Sequence, residues 1–153
     1  MEPEVIYSNG TLTARAVYAA PRERVFDAWV ETSQVQQWWG CSDTTKVESE
    51  IEPRVGGKYC HRMQLGEKGQ TYQDSFFTEY ERPRVIAFRA NAPGQDVPME
   101  VRVTFEEVAG GTLVQLVHSG LRDEIAVFVR PGWTAALGKL AGFLSSSLAG
   151  SGA

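Results

Sequence analysis

The chain has 153 residues, 42% of them hydrophobic and 22% charged, with a formal net charge of −4. That length suits one domain with its own core and no disulfide or metal staple, and the negative balance offers no positive field to gather nucleic acid. No stretch approaches the roughly 20 apolar residues of a membrane span, and Met1 to Glu4 has neither the basic start nor the apolar run of a leader, so a cytoplasmic protein without membrane insertion is expected.

Residues 1–10 carry no readable period and are expected to form a flexible N-terminus. From Thr11 to Tyr18, Leu12, Ala14, Ala16 and Tyr18 alternate with Thr11, Thr13, Arg15 and Val17, which predicts a strand with one drier face. Pro21 can occupy a first helical position without losing a hydrogen bond, and Val25, Phe26, Trp29 and Val30 recur at helical spacing, so 21–30 is a short amphipathic helix. Thr32-Ser33 offers a new N-cap for a second short helix that carries Val35, Trp38 and Trp39 and stops at Gly40.

The period then changes to two. Val47, Ser49 and Ile51 share a face, Gly56-Gly57 reverses the chain by allowing positive φ, and Tyr59, His61, Met63 and Leu65 share a face of the next strand. After a turn at Glu67-Lys68-Gly69, a single strand over 70–80 places Tyr72, Asp74, Phe76, Thr78 and Tyr80 on one side. Pro83 separates it from a strand at 84–90, Asn91 to Pro98 is a loop, and Val101 to Phe105 and Thr112 to His118 form a hairpin about Ala109-Gly110-Gly111. Strands joined by turns this short must pair antiparallel, because parallel pairing needs crossovers of a dozen or more residues.

The last element is helical: Trp133, Leu137, Leu140 and Leu144 make one apolar stripe. Pro131 is expected at its first turn or at a kink, with Leu121 to Arg130 a loop or a separate short helix. Gly132 is expected to let the helix start pass close to the sheet rim with the Trp133 indole flat beneath it. The Ser/Gly/Ala-rich end, 146–153, is expected to be a flexible tail. Strands followed by one long helix make an α+β chain, and this helix is the element available to cover the sheet.

Six strings in this order carry a resemblance: Ala20-Pro21-Arg22-Glu23-Arg24-Val25-Phe26-Asp27-Ala28-Trp29, Trp38-Trp39-Gly40, Val55-Gly56-Gly57-Lys58-Tyr59, Glu81-Arg82-Pro83-Arg84-Val85-Ile86-Ala87-Phe88, Gly110-Gly111-Thr112 with His118-Ser119-Gly120-Leu121, and Gly132-Trp133. The chain resembles the START-like helix-grip superfamily, specifically the bacterial proteins similar to the C-terminal domain of the activator of Hsp90 ATPase. The resemblance implies a helix-grip domain over 11–145, a curved antiparallel sheet of six to seven strands wrapped around the long C-terminal helix, with two short helices after the first strand. It departs from the family at Arg130-Pro131, where an unbroken helix is usual. The resemblance implies a stress-response role, while nothing before residue 11 matches the separate N-terminal domain of the eukaryotic co-chaperone, which weighs against Hsp90 activation.

The resemblance also implies a mostly apolar cavity between the concave sheet face and the helix. Strand parity would aim Tyr59, His61 and Met63 into it, and likewise Tyr72, Asp74 and Phe76; Trp38, Trp39, Trp133 and Leu137 complete the expected ligand contacts. An inward Asp74 could act as an acid or as a ligand's hydrogen-bond partner, or instead pair with His61 or Arg62. His118 needs only one backbone partner for a structural role, which is favoured over general-base duty. Cys41 and Cys60 are expected as buried thiols. His61, His118, Cys41 and Cys60 match no zinc spacing, and neither a Gly-x-Gly-x-x-Gly nor a Gly-x-Ser-x-Gly motif occurs, so no metal or cofactor is expected.

Three functions fit this reading. The first is non-catalytic binding of a hydrophobic or aromatic small molecule, including lipid, by a monomer or homodimer. The second is an enzyme of the polyketide cyclase or dehydratase type using Asp74, His61 and Tyr72. The third is a chaperone-binding module.

Overall fold

The computed structural model describes residues 3–91 and 98–151, so most of the expected loop between Asn91 and Pro98 lies outside the described residues. The chain runs β1 (Glu4–Ser8), β2 (Thr11–Tyr18), α1 (Arg22–Val30), α2 (Thr32–Val35), β3 (Lys46–Ile51), β4 (Tyr59–Gln64), β5 (Gln70–Gln73), β6 (Ser75–Glu81), β7 (Val85–Ala90), β8 (Glu100–Val108), β9 (Gly111–Ser119) and α3 (Asp123–Ser151). A six-stranded sheet in the order β1-β2-β9-β8-β7-β6 lies beside a three-stranded sheet, β3-β4-β5. Every pairing is antiparallel. The expected α+β helix-grip class holds, with two sheets where one of six to seven strands was expected.

Four expectations change. Residues 4–8 are not a flexible end: β1 pairs with β2 from Glu4↔Arg15 to Ser8↔Thr11. The turn between them is Asn9-Gly10, both at positive φ (48° and 80°), the conformation a two-residue hairpin requires. The two short helices therefore follow the second strand. The helix α3 starts at Asp123 and runs through Pro131, so Leu121 to Arg130 is neither a loop nor a separate helix, and the helix continues past 146 to Ser151. Residues 123–130 bring the acidic first turn (Asp123, Glu124) that suits a helix N-terminus, and the Asp123 carboxylate accepts the Tyr7 hydroxyl at 2.6 Å. That contact ties α3 to β1 and favours helix in a stretch where Pro131 alone argues for a break.

The fourth change concerns the 70–80 strand, which divides at Asp74 into β5 and β6, one in each sheet. A register shift between Phe77 and Glu79 follows. Phe77 is buried inside and Phe76 is only half-buried, the reverse of the expected parity.

The core lies between the large sheet and the helices. Leu12, Val103, Phe105 and Leu116 come from the sheet, Phe26 and Trp29 from α1, and the expected α3 stripe of Trp133, Leu137, Leu140 and Leu144 is buried along its length. The end of α1 is closed by side chains. Trp38 donates its indole N–H to the Ala28 carbonyl (2.9 Å), and the Tyr59 hydroxyl donates to the Trp29 carbonyl (2.8 Å), which satisfies two of the carbonyls a helix leaves unpaired. At the β8–β9 hairpin, Gly111 is required by close approach as well as by its φ of 147°: a Cβ there would sit 1.9 Å from the Tyr18 carbonyl oxygen. Gly57 likewise has no room for a side chain, with the Glu52 carbonyl oxygen 2.3 Å from a Cβ position, while positive φ falls on Gly56 alone of that pair.

Candidate functional site

A cavity of about 410 Å³ opens where the two sheets diverge beneath α3. Its volume is within the range of small-molecule sites. The wall is built by Trp39 before β3, His61 and Met63 of β4, Phe88 of β7, Val101 of β8 and His118 of β9. Trp133 and Ala136 of α3 form its roof. The mouth is marked by exposed Tyr72, Asp74 and Phe128, the last 75% exposed.

Four rings organise the interior. His61 stacks on Trp39 (centroids 4.0 Å apart, planes at 27°), Trp39 meets Trp133 edge-on at 5.4 Å, and the Trp133 indole N–H donates to His118 Nδ1 at 3.0 Å. Each tryptophan is fixed from behind. Trp39 donates its indole N–H to Gln73 Oε1 at 2.7 Å, and Trp133 stacks on Trp29 at 6.0 Å. Lys139 of α3 donates to the carbonyls of Trp39 and Cys41, both at 3.2 Å, which pins the segment after α2 to the helix. Partial burial of that ammonium lowers its pKa.

Both histidines are held neutral. Burial pushes His61 down to about 3 and His118 down to about 4. His61 Nδ1 pairs with the Ser49 hydroxyl at 2.8 Å across the β3–β4 pair, whereas its Nε2 is buried without a hydrogen-bond partner. His118 has a side-chain partner, Trp133, in place of the expected backbone one.

The structure separates the expected contacts into two groups. Trp39, His61, Met63 and Trp133 line the cavity, and Tyr72 and Asp74 stand at its mouth. Trp38, Tyr59, Phe76 and Leu137 are not among its lining residues. Trp38 and Tyr59 are instead fully buried caps of α1, and Leu137 is core, its carbonyl accepting the Tyr18 hydroxyl at 2.9 Å. Asp74 does not point inward among aromatics: it is exposed and accepts a hydrogen bond from the Cys60 thiol at 3.4 Å, and it pairs with neither His61 nor Arg62. Tyr72 is 52% exposed, with the Arg62 guanidinium 5.4 Å from its ring centre. Cys60 is buried, while Cys41 is only half-buried beside the mouth, so the expectation of two buried thiols holds for one. Gly132 also lies at this wall, and a Cβ there would meet only the Cys41 Cβ at 4.0 Å, so close passage at the sheet rim is not its role.

Sequence reasoning missed Phe88, Val101, Gln73, Phe128 and Ala136. Ala136 lies one turn from Trp133 on the apolar stripe, so helical spacing carried its signal. Gln73 and Phe88 depend on how the two sheets diverge, which no local pattern encodes.

The fold has many solved counterparts. A protein from Nitrosomonas europaea superposes with a TM-score of 0.81 at 15% identity, covering 94% of this chain and 99% of that one. An AHSA1-like protein from Aeromonas hydrophila gives a TM-score of 0.75 at 25% identity, over 90% of this chain and 93% of its own. CalU16 from Micromonospora echinospora gives 0.68 at 22% identity, over 95% and 85% respectively. No curated protein matches the chain. The profile described as "Activator of Hsp90 ATPase homolog 1-like protein" matches residues 19–145, which contain α1, the cavity walls and the leucine stripe. On that match, the chain belongs to the family of Activator of Hsp90 ATPase homolog 1-like proteins.

Proposed function

We propose that the protein binds a hydrophobic or aromatic small molecule in the cavity beneath α3 and acts without catalysis, as a cytoplasmic monomer or homodimer. The observation that carries this reading is the hollow itself: about 410 Å³ walled by Trp39, Met63, Phe88, Val101 and Trp133.

The cyclase or dehydratase alternative has less support. Asp74 and Tyr72 stand at the rim while His61 is at the wall, and an imidazole pushed down to about 3 has little affinity for a proton at neutral pH. A chaperone-binding role is supported by the family description alone.

Substituting Ala136, a buried roof residue, by Phe would put a phenyl ring into the hollow. Native mass spectrometry against a panel of neutral lipids (long-chain alcohols and esters) and neutral aromatic compounds is expected to give one-to-one adducts with the wild-type protein and none with Ala136→Phe at equal thermal stability. Failure of every panel member to bind, or equal binding by the filled variant, would reject the reading.

A further inference from the structure

We infer that the cavity selects uncharged ligands bearing a carbonyl-type oxygen, with the Nε2–H of His118 as the hydrogen-bond donor that recognises it. This inference rests on the cavity-binding reading above and specifies the ligand class.

The argument begins with Trp133. An indole N–H can only donate, so His118 Nδ1, which receives it at 3.0 Å, must be an acceptor. A neutral imidazole carries one proton, which is therefore on Nε2. The ring is buried, and no hydrogen bond engages Nε2 among the described residues. His118 thus presents a donor of fixed sense to whatever occupies the hollow it lines. The expectation of a purely structural histidine missed this half of the ring.

His61 behaves differently. Its Nδ1 faces the Ser49 hydroxyl, which can either donate or accept, so the unpartnered Nε2 can take the complementary role. His61 Nε2 is itself closed off from the hollow, so the fixed donor of His118 is the recognising group. A ketone, quinone or ester oxygen satisfies that donor.

Charge sets the exclusion. Among the described residues no Lys or Arg lines the cavity, and the one charged lining residue, Asp74, is negative. Lys139, on the helix above, is committed to the carbonyls of Trp39 and Cys41, and the Arg62 guanidinium lies over the exposed Tyr72 ring at the mouth. A carboxylate entering the hollow would lose its hydration with no cation to replace it, whereas a neutral carbonyl loses far less.

Three probes of nearly equal shape separate these effects: 2-acetonaphthone, its hydrocarbon analogue 2-isopropenylnaphthalene, and 2-naphthoate. Quenching of tryptophan fluorescence at pH 7 should show the ketone binding about tenfold tighter than the hydrocarbon, the size of one hydrogen bond. The carboxylate should bind weakest. In His118→Leu the ketone-to-hydrocarbon ratio should fall to about one while the hydrocarbon still binds, a change that lost packing alone would not produce. Trp133→Phe, which frees Nδ1 and with it the tautomer, should lower the same ratio. If wild-type protein binds ketone and hydrocarbon alike, or prefers the carboxylate, the inference fails and the binding reading stands. If none of the three quenches, both fail.

Discussion

Acidification from pH 7 to pH 4.5 is expected to remove up to roughly 5 kcal/mol of folding stability through two histidines. The cause is the neutral histidine pair. In the unfolded chain each ring titrates near 6.5, whereas in the fold burial holds His61 down to about 3 and His118 down to about 4. Below 6.5 the unfolded chain therefore binds protons that the native protein does not, and stability falls as pH falls. The loss continues to about pH 4 for His118 and about pH 3 for His61. Two pH units at about 1.4 kcal/mol each give nearly 3 kcal/mol per ring, hence the total. Urea midpoints at pH 7, 5.5 and 4.5 measure it. His118→Leu should remove about half of the slope, since one of two equivalent titrations is lost. A flat midpoint between pH 7 and 5 would show that these rings are solvated and that the wall is not dry.

The second large effect is expected at Trp29, which is not among the cavity's described lining residues yet stands behind them. Its ring is fully buried and lies 4.7 Å from Trp38, 6.0 Å from Trp133 and 6.1 Å from both Trp39 and Phe105. Trp29→Ala should cost about 3–5 kcal/mol, a large part of the roughly 5–15 kcal/mol available to a domain of this kind. Trp29→Phe should cost less than half of that, because the Trp29 indole N–H has no hydrogen-bond partner to lose. The alanine variant should also weaken ligand binding, since Trp39 and Trp133 both lose the surface that holds them. Chemical denaturation of the two variants checks the order. A loss under about 1 kcal/mol for Trp29→Ala would mean that the aromatic cluster does not organise the core.

Much of the architecture was legible because single elements announce themselves. Val25, Phe26 and Trp29 show helical spacing on α1, the leucines after Trp133 do so on α3, and the Gly110-Gly111 hairpin is flanked by alternating strands. The first strand was missed: Asn9-Gly10 is a strong hairpin signal, but Glu4 to Ser8 is a half-buried edge strand with a weak period of its own. The division at Asp74 was not legible. Strand parity extends only as far as the strand, and the passage from β5 to β6 with the shift after Phe77 reset it, which is why Phe76 and Asp74 were aimed inward. His61 faces inward because β4 is regular through that position, while its stacking on Trp39 is long-range and has no local signal. The hydrogen bond from Trp133 to His118 joins a strand end to the middle of a helix, a relation set by packing that no residue pattern carries.

The remaining question is whether a molecule enters the hollow or only coats the surface. The chain has three methionines, and two of them, Met63 and Met99, line the cavity together with Ala136. With methionine and alanine methyl groups labelled with carbon-13, nuclear Overhauser contacts to bound 2-acetonaphthone are expected at Met63, Met99 and Ala136. Saturable binding with contacts at none of these methyls, or only at surface methyls far from the roof, would contradict a ligand held beneath α3.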